Sequence, residues 1–209
     1  RLVILLRHGR PARPLPEELM FLGQTDLPLS DEGIAQARLL GAHLRQTSLC
    51  RIYCSDLKRS RRTAEIIGEH QRQVVFSLEP ALREIDLGAW DGLPFSEVRR
   101  AYPRDFRRRG RRPVSFRPPR GESFRDLQRR VVPCFHRVCE ESEGNIAIVG
   151  HAGVNRVLLC SLLAIPLRRL FSLEQDFGCI NLLAVRDREF RLRALNLQPA
   201  ICPPGSIPP

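Results

Sequence analysis

Two histidines occupy matching places in this chain, each just past a run of apolar residues. His8 follows the strand-like segment LVILLR, and His151 follows NIAIVG. In an open α/β sheet, ligands bind at the carboxyl ends of the strands, so these two imidazoles are expected to meet at one edge of a sheet. Each histidine is flanked by glycine, which predicts a close approach of the backbone to a ligand.

Arginines near these positions predict an oxyanion as the ligand. Arg7 directly precedes the first histidine. The segment SDLKRSRRTAE places Arg59, Arg62 and Glu65 on one helix face. One arginine at the start of this helix could point over the sheet edge, where its planar fork would match phosphate in a bidentate arrangement. The alternative is a solvated helix in which Glu65 pairs with Arg61 or Arg62.

A carboxylate in the segment LREIDLGAWDG is a candidate proton donor beside the imidazoles. The segment offers Glu84 and Asp86, and an ordinary salt-bridge role is the alternative for both. The helix after His151 begins near Ala152, and the amides of a helix N-terminus favour an anion. Together, these residue types indicate a pocket for a phosphate-like group.

Strand-like and helical segments alternate along the chain. This alternation predicts an α/β fold, a three-layer sandwich with a mostly parallel central sheet flanked by helices. Apart from NIAIVG, the predicted strands lie at residues 2–6, 51–54, 74–77, 181–185 and 190–194. The predicted helices lie at residues 31–44, 57–70, 123–141 and 154–163.

The helix ends and faces can also be predicted from local signals. Ser30 is the expected N-cap of the first helix, and Ser55 or Asp56 that of the second. Pro133 predicts a kink or a break in the third helix. The first helix shows apolar residues at helical spacing, namely Ala35, Leu39, Leu40 and Leu44.

Residues 91–121 differ in composition from the rest. Eight arginines fall between Arg99 and Arg112, so the segment is predicted to be a polar excursion from the core, a small helical or loop lid over the substrate mouth. The alternative is a surface for RNA or an acidic protein. Residues 1–209 are expected to form one domain, with 199–209 as an irregular, proline-rich tail.

Composition limits the classes of function. The net charge of +11 comes almost entirely from arginine and attracts anionic partners. The apolar runs are too short for a membrane span, and no cleavable leader is expected. Seven cysteines without metal-ligand spacing predict reduced thiols, a cytoplasmic location and no metal site.

The motifs, taken in order, resemble those of the histidine phosphatase superfamily, also called the phosphoglycerate-mutase-like family. The likeness covers residues 2 to about 185 and rests on Arg7-His8-Gly9, SDLKRSRRTA, REIDLGAWDG and GHAG. The segment GQTDLPLSDEGIAQA is similar as well. Two further segments, EIDLGAWDGLPFSEV and FRPPRGESFRDLQRRV, look more like the alpha-ribazole phosphatase branch.

This resemblance implies a metal-independent phosphomonoesterase without a cofactor. His8 would be the nucleophile that becomes phosphorylated, and Glu84 the general acid. Arg7, Arg59 and a protonated His151 would bind the phosphate. The resemblance also implies that Gly23 and Gln24 approach the substrate.

The expected substrate is a small organic phosphate, with alpha-ribazole 5′-phosphate as one candidate. Two other functions stay open at this point: a phosphoglycerate-type mutase, and a catalytically silent module that binds anions or RNA. Neither a membrane nor nucleic acid is the expected partner. The sequence leaves the oligomeric state open, a homodimer included.

Overall fold

A six-stranded sheet forms the centre of the part of the chain that the structure describes. The structure is a computed structural model, and it describes residues 1–14, 17–187 and 189–199. The strand order is β3-β2-β4-β1-β5-β6. The strands are β1 (Leu2–Arg7), β2 (Leu49–Cys54), β3 (Val75–Leu78), β4 (Asn145–Gly150), β5 (Ile180–Arg186) and β6 (Glu189–Leu197).

The pairing is mostly parallel, as predicted. β4 pairs in parallel with β1 and β2, and β2 pairs in parallel with β3, whereas β5 runs antiparallel to both β1 and β6. The helices are α1 (Asp31–Leu44), α2 (Lys58–Gly68), α3 (Phe95–Ala101), α4 (Pro103–Arg111), α5 (Phe124–Glu140) and α6 (Ala152–Leu162). Short 3₁₀ helices lie at Pro80–Leu82, Gly88–Trp90 and Leu167–Ser172.

Helices cover both faces of the sheet because β1 is apolar on both sides. Val3 and Leu5 pack in one cluster with residues of α5 and α6. Ile4 and Leu6 pack in another with residues of α1 and α2. Successive side chains of a strand point to opposite faces, so the two clusters lie on opposite sides of the sheet. The predicted three-layer α/β sandwich is confirmed.

The first helix begins where the sequence predicts, and of its four apolar residues at helical spacing Leu40 and Leu44 are buried whereas Ala35 and Leu39 are not. The Ser30 hydroxyl accepts a hydrogen bond from the Gly33 amide, which confirms it as the N-cap. Ala35 is exposed, and Leu39 is 45% exposed, whereas Leu40 is fully buried. The apolar spacing did not separate these leucines, because consecutive positions lie only about 100° apart around a helix.

The predicted caps of α2 are wrong. The N-cap is Leu57, whose side chain makes no capping bond, and neither Ser55 nor Asp56 takes this role. The Lys58 amide instead donates to the Asp26 carboxylate (Oδ1, 2.7 Å). Because Asp26 belongs to a loop far away in the sequence, local spacing could not reveal this cap.

Of the kink or break predicted at Pro133 in α5, the break is wrong and the kink stays a prediction. The helix runs without interruption from Phe124 to Glu140 with Pro133 inside it. A capping box between Ser123 and Asp126 fixes its start. The proline removes one backbone hydrogen bond, and the buried apolar face of the helix on either side of it outweighs this loss.

Residues 91–121 contribute to the core, which corrects the prediction of a purely polar excursion. The segment contains α3 and α4, and it buries Val98 and Phe116. The ring of Phe116 lies 5.2 Å from that of Trp90, centroid to centroid. The lid role of this segment and the single-domain assignment stay predictions. Residues 200–209 of the predicted tail lie outside the described residues.

Two findings bear on the predictions made from composition. Within the described ranges, no helix is both long and apolar enough to cross a bilayer. The six cysteines in these ranges are free.

The packing of α1 predicts different costs for two adjacent leucines. Leu40→Ala should lower the free energy of unfolding by about 2–5 kcal/mol, because it removes a fully buried side chain. Leu39→Ala is the matched control and should cost less than about 1 kcal/mol. Chemical denaturation of both variants measures the difference. Equal costs would contradict the observed helix face.

Candidate functional site

The strand register brings the two histidines together. β1 and β4 are parallel neighbours in which Arg7 pairs with Gly150, so His8 and His151 come next on adjacent strands. The His8 amide donates to the Gly150 carbonyl at 3.2 Å. The two imidazole centroids lie 4.9 Å apart at an interplanar angle of 63°. Both side chains are buried.

A hydrogen bond to its neighbour fixes the tautomer of His8. Its Nδ1 lies 2.6 Å from the Gly9 carbonyl oxygen, and a carbonyl can only accept, so Nδ1 carries the proton. The lone pair is therefore on Nε2, which accepts a hydrogen bond from Nε of Arg59 at 3.2 Å. The nitrogen that can act as a nucleophile points towards a guanidinium.

Burial lowers the pKa of His8 and of His151 well below 6.5, and the positive charges of Arg59 and Arg7 add to this effect. Both imidazoles are therefore neutral at neutral pH. Nε2 of His151 lies 2.7 Å from the Ser55 hydroxyl. Its Nδ1 is buried and has no partner among the described residues.

Sequence reasoning missed Ser55 as a member of the site. It follows β2, which pairs with β4, so it lies next to His151 along the carboxyl edge of the sheet. The signal was available, since Ser55 is the first residue after a strand, but a helix cap was the more obvious interpretation.

Arg59 is the most deeply buried arginine of the site, with 1% of its surface exposed. Its Nη2 donates to the Gly23 carbonyl (2.6 Å) and its Nη1 to the Thr25 carbonyl (2.8 Å). Burial lowers the pKa of this guanidinium. By contrast, Arg62 pairs with Glu65 on the exposed face of α2. Of the two interpretations of this segment, the arginine that points over the sheet edge fits Arg59, and the solvated helix fits Arg62.

Asp91 organises the loop that holds Arg59, and sequence reasoning missed it. Its carboxylate accepts hydrogen bonds from the amides of Gly23, Gln24 and Thr25 at 2.7, 2.7 and 2.8 Å. The Gln24 side chain also donates to the Glu84 carbonyl (3.1 Å). Neither Gly23 nor Gln24 lines the cavity described below. Instead, the Gly23 carbonyl accepts a hydrogen bond from Arg59, and the Gln24 side chain holds the Glu84 backbone.

Of the two carboxylates proposed as proton donors, only Glu84 faces the site. It is 8% exposed, and its oxygens accept hydrogen bonds from the amides of Ile85 and Gly153, both at 2.9 Å. Asp86 instead accepts from the Gly88 amide (2.8 Å) within its own turn. Which of the two carboxylates can reach a ligand depends on which side chain the turn directs into the site.

Arg130 and Glu122 position the segment that carries Glu84. Arg130 donates to the carbonyls of Ala81 (2.7 Å) and Arg83 (3.0 Å), and it pairs with Glu122 (2.8 Å). No motif pointed to this pair, because Arg130 lies on α5 and its carbonyl partners lie 49 and 47 residues earlier in the chain.

Two glycines near the histidines, Gly9 and Gly153, are required by packing within the protein, and the close approach of a ligand to the backbone stays a prediction. A Cβ on Gly9 would lie 2.2 Å from the Gly33 carbonyl oxygen, at the start of α1. A Cβ on Gly153 would lie 2.3 Å from Oε1 of Glu84. Both distances are too short for any side chain.

Arg7 is a second arginine of the site, besides Arg59. Its guanidinium lies 3.7 Å above the ring of Phe177 and donates to the Gln175 carbonyl. Its Nε is buried and has no partner in the described ranges. Burial lowers the pKa of Arg7 to about 10. A buried guanidinium with an unused donor suits an anion.

These groups converge on one cavity of about 450 Å³. Five of the predicted site residues line it, namely Arg7, His8, Arg59, Glu84 and Ala152. His151 lies directly beside His8 and is fully buried. Aromatic side chains form much of the outer wall, including Phe21, Phe95, Phe116, Phe124, Phe171 and Phe177. In the described ranges, no cluster of His, Cys, Asp or Glu side chains is arranged to hold a metal ion.

Comparison with known proteins finds a family model and relatives that span most of this chain. The model of the histidine phosphatase superfamily (branch 1) matches residues 3–198. Phosphoserine phosphatase 1 from Hydrogenobacter thermophilus is 31% identical over 93% of this chain and 92% of its own length. The adenosylcobalamin/alpha-ribazole phosphatase of Salmonella typhimurium is 28% identical over 92% of this chain and 94% of its own length.

A solved structure agrees with these relatives. The alpha-ribazole phosphatase from Shigella flexneri superimposes with a TM-score of 0.87 at 26% identity, covering 95% of this chain and 97% of that chain. The relatives thus include members of the predicted branch.

The contacts of Asp91 predict that its removal loosens the loop at residues 23–25 and also lowers the stability of the whole protein. Asp91→Ala removes an acceptor of three backbone bonds and should lower the free energy of unfolding by about 2–3 kcal/mol. Hydrogen exchange of the amides at residues 23–25 should become at least about tenfold faster. Asp86→Ala is the control and should leave exchange at 23–25 unchanged. Unaltered protection in Asp91→Ala would show that the loop does not depend on this carboxylate.

The lowered pKa values predict the charge of the two imidazoles. A histidine in an unfolded peptide is largely protonated at about pH 6. At that pH His8 and His151 should both give the nitrogen NMR pattern of a neutral ring, with the proton of His8 on Nδ1. A charged ring at either position would contradict the direction of the pKa shifts.

Proposed function

Because this chain belongs to the histidine phosphatase superfamily and is a phosphatase, we propose that it hydrolyses a small organic phosphate monoester through a phosphohistidine formed at His8. The reaction would use the arginines of the site in place of a metal ion. The observation that carries this proposal is the orientation of His8. Its Nε2 lone pair lies on the wall of a cavity that it shares with Arg7, Arg59 and Glu84.

In the first step, Nε2 of His8 attacks the phosphorus atom as the bond from phosphorus to the ester oxygen breaks. The neutral tautomer is required, since a protonated Nε2 has no lone pair. Glu84, protonated in this step, gives its proton to the departing alkoxide. A phosphohistidine and a free alcohol result.

In the second step, a water molecule attacks the phosphohistidine. The Glu84 carboxylate accepts a proton from this water, the bond between nitrogen and phosphorus breaks, and inorganic phosphate leaves. Glu84 is then protonated again and His8 is neutral, so the cycle closes. Two easier displacements thus replace one difficult displacement.

The phosphoryl oxygens would meet positive charge on several sides. Arg7 has a buried, unused Nε donor, and Ala152 begins α6, where helix amides favour an anion. His151 lies beside His8, and its imidazole is neutral when only groups of the protein surround it. We infer that a phosphate dianion raises its pKa, because a nearby negative charge favours the protonated ring. A charged His151 would then stabilise the transition state.

The substrate we propose is a small phosphate ester of an alcohol, with alpha-ribazole 5′-phosphate as one candidate. The named relatives support this choice, since two of the three described above are alpha-ribazole phosphatases. The third is a phosphoserine phosphatase, so a smaller alcohol is compatible as well. None of the three carries the name of a mutase, and transfer to a second substrate is not favoured.

The nucleophile can be tested by trapping the intermediate. Wild-type protein mixed with a labelled phosphate ester and quenched in alkali should retain label on His8, since phosphohistidine survives base better than acid. His8→Ala should retain none and should lose phosphate release by roughly 10³-fold or more. His136→Ala, an exposed histidine on α5, is the control. Unchanged turnover in His8→Ala would overturn the mechanism.

The general acid can be tested with two leaving groups. Glu84→Gln should slow hydrolysis of an alkyl phosphate by about 10²–10⁴-fold, because an alkoxide needs a proton in order to leave. Hydrolysis of a nitrophenyl phosphate should slow much less in the first step, since nitrophenolate leaves without one. Single-turnover kinetics with both esters measure that step. Equal slowing would exclude Glu84 as the proton donor.

A further inference from the structure

One arginine of the basic segment differs from its neighbours. Residues 99–112 contain eight arginines, and seven of them are exposed to solvent. The exception is Arg109 on α4, which is half-buried and lines the cavity that also contains His8. The property that distinguishes Arg109 is therefore its position, since its residue type is shared by the others.

Arg109 occupies a place where an apolar side chain would be expected. Tyr102, Phe106 and Arg109 follow at i, i+4 and i+7, the spacing of a core-facing stripe. Phe106 meets the ring of Phe21 edge-on at 6.3 Å. The guanidinium carbon of Arg109 lies 5.0 Å from the centroid of the same ring. The helix thus turns a charge inward beside two phenylalanines.

The guanidinium of Arg109 has no anionic partner in the described residues. No hydrogen bond or ion pair involves it there, and burial is the cause that lowers its pKa. By contrast, four other arginines that line the cavity each have a carbonyl or carboxylate partner, namely Arg7, Arg10, Arg59 and Arg156. A partly buried charge without a counter-charge is costly, and the contact with Phe21 compensates only in part.

An anion supplied by the substrate would remove this cost. On the basis of the proposed function, we propose that Arg109 is a specificity residue that binds a second oxyanion, a carboxylate or a phosphate, in the alcohol part of the substrate. The scissile phosphate would lie at His8, and the body of the alcohol would pass along the phenylalanines of the cavity wall. Arg109 would thereby favour esters such as phosphoserine, whose alcohol part carries a carboxylate, over alpha-ribazole 5′-phosphate, whose alcohol part carries no anion.

Matched pairs of substrates isolate this second charge. Carboxyethyl, carboxybutyl and carboxyphenyl phosphates are compared with ethyl, butyl and phenyl phosphates, and kcat/KM is measured for each. Wild-type protein should prefer the charged member of at least one pair by about tenfold or more, since a charge-assisted hydrogen bond is strong in a half-buried setting. The chain length of the preferred charged ester indicates the distance between the phosphate site at His8 and the second anion site at Arg109.

Variants of α4 assign the preference to one residue. Arg109→Ala should bring the ratio within each pair close to one, and Arg109→Lys should restore part of it. Arg108→Ala, an exposed neighbour that does not line the cavity, is the control and should leave the ratio as in wild type. A wild-type ratio near one in every pair, or an unchanged ratio in Arg109→Ala, would overturn the proposal.

Binding separates this proposal from the proposed function. The His8→Ala variant is titrated calorimetrically with the same six esters, so the ratio of Kd values within a pair is read without turnover. Preference for the charged ester in binding, together with no phosphate release by wild type, would defeat the proposed mechanism alone. Phosphate release with equal Kd values in all pairs would defeat the second-anion site alone.

Discussion

The buried guanidinium of Arg59 is the constraint on which the rest of the site depends. A charge with 1% exposure is tolerated only when its donors are satisfied. Here two backbone carbonyls and the lone pair of His8 accept from it. Because the carbonyls belong to Gly23 and Thr25, the loop must be held in place, and the Asp91 carboxylate holds it by three amides.

The same interactions set the chemistry of the histidine. With Arg59 donating to Nε2 and Gly9 accepting from Nδ1, the ring has one tautomer and one orientation. Burial and neighbouring cations keep it neutral. A neutral, oriented imidazole in a cationic cavity is suited to attack a phosphate dianion, because the cations attract the substrate and also keep the nucleophile unprotonated.

The segment 91–121 packs against the core on one side and faces solvent on the other. Its helices bury Val98 and present most of their arginines to solvent. The exposed arginines account for much of the net charge and would raise the rate of encounter with anions. The segment reaches the cavity through Phe95, Pro113, Phe116, Pro118 and Arg109, and Arg109 is the one charged residue of this set.

The sequence by itself determined the fold class and singled out side chains that meet at the site. Alternating apolar segments and helices predict the sheet, because burial leaves a local pattern in the chain. His8, His151 and Glu84 stand in recognisable motifs, and parallel strands place their carboxyl ends at one edge. A resemblance to a family supplied their roles, which the spacing alone did not.

Only the tertiary structure decided which partners those groups have. The roles of Ser55 and Asp91, the cap of α2 by Asp26 and the inward position of Arg109 all depend on contacts between segments far apart in the sequence. A hydrogen bond depends on the direction of a side chain and on the path of a distant loop, and no residue spacing encodes either. The choice between Leu39 and Leu40 on α1 was decided in the same way, by what packs against the helix.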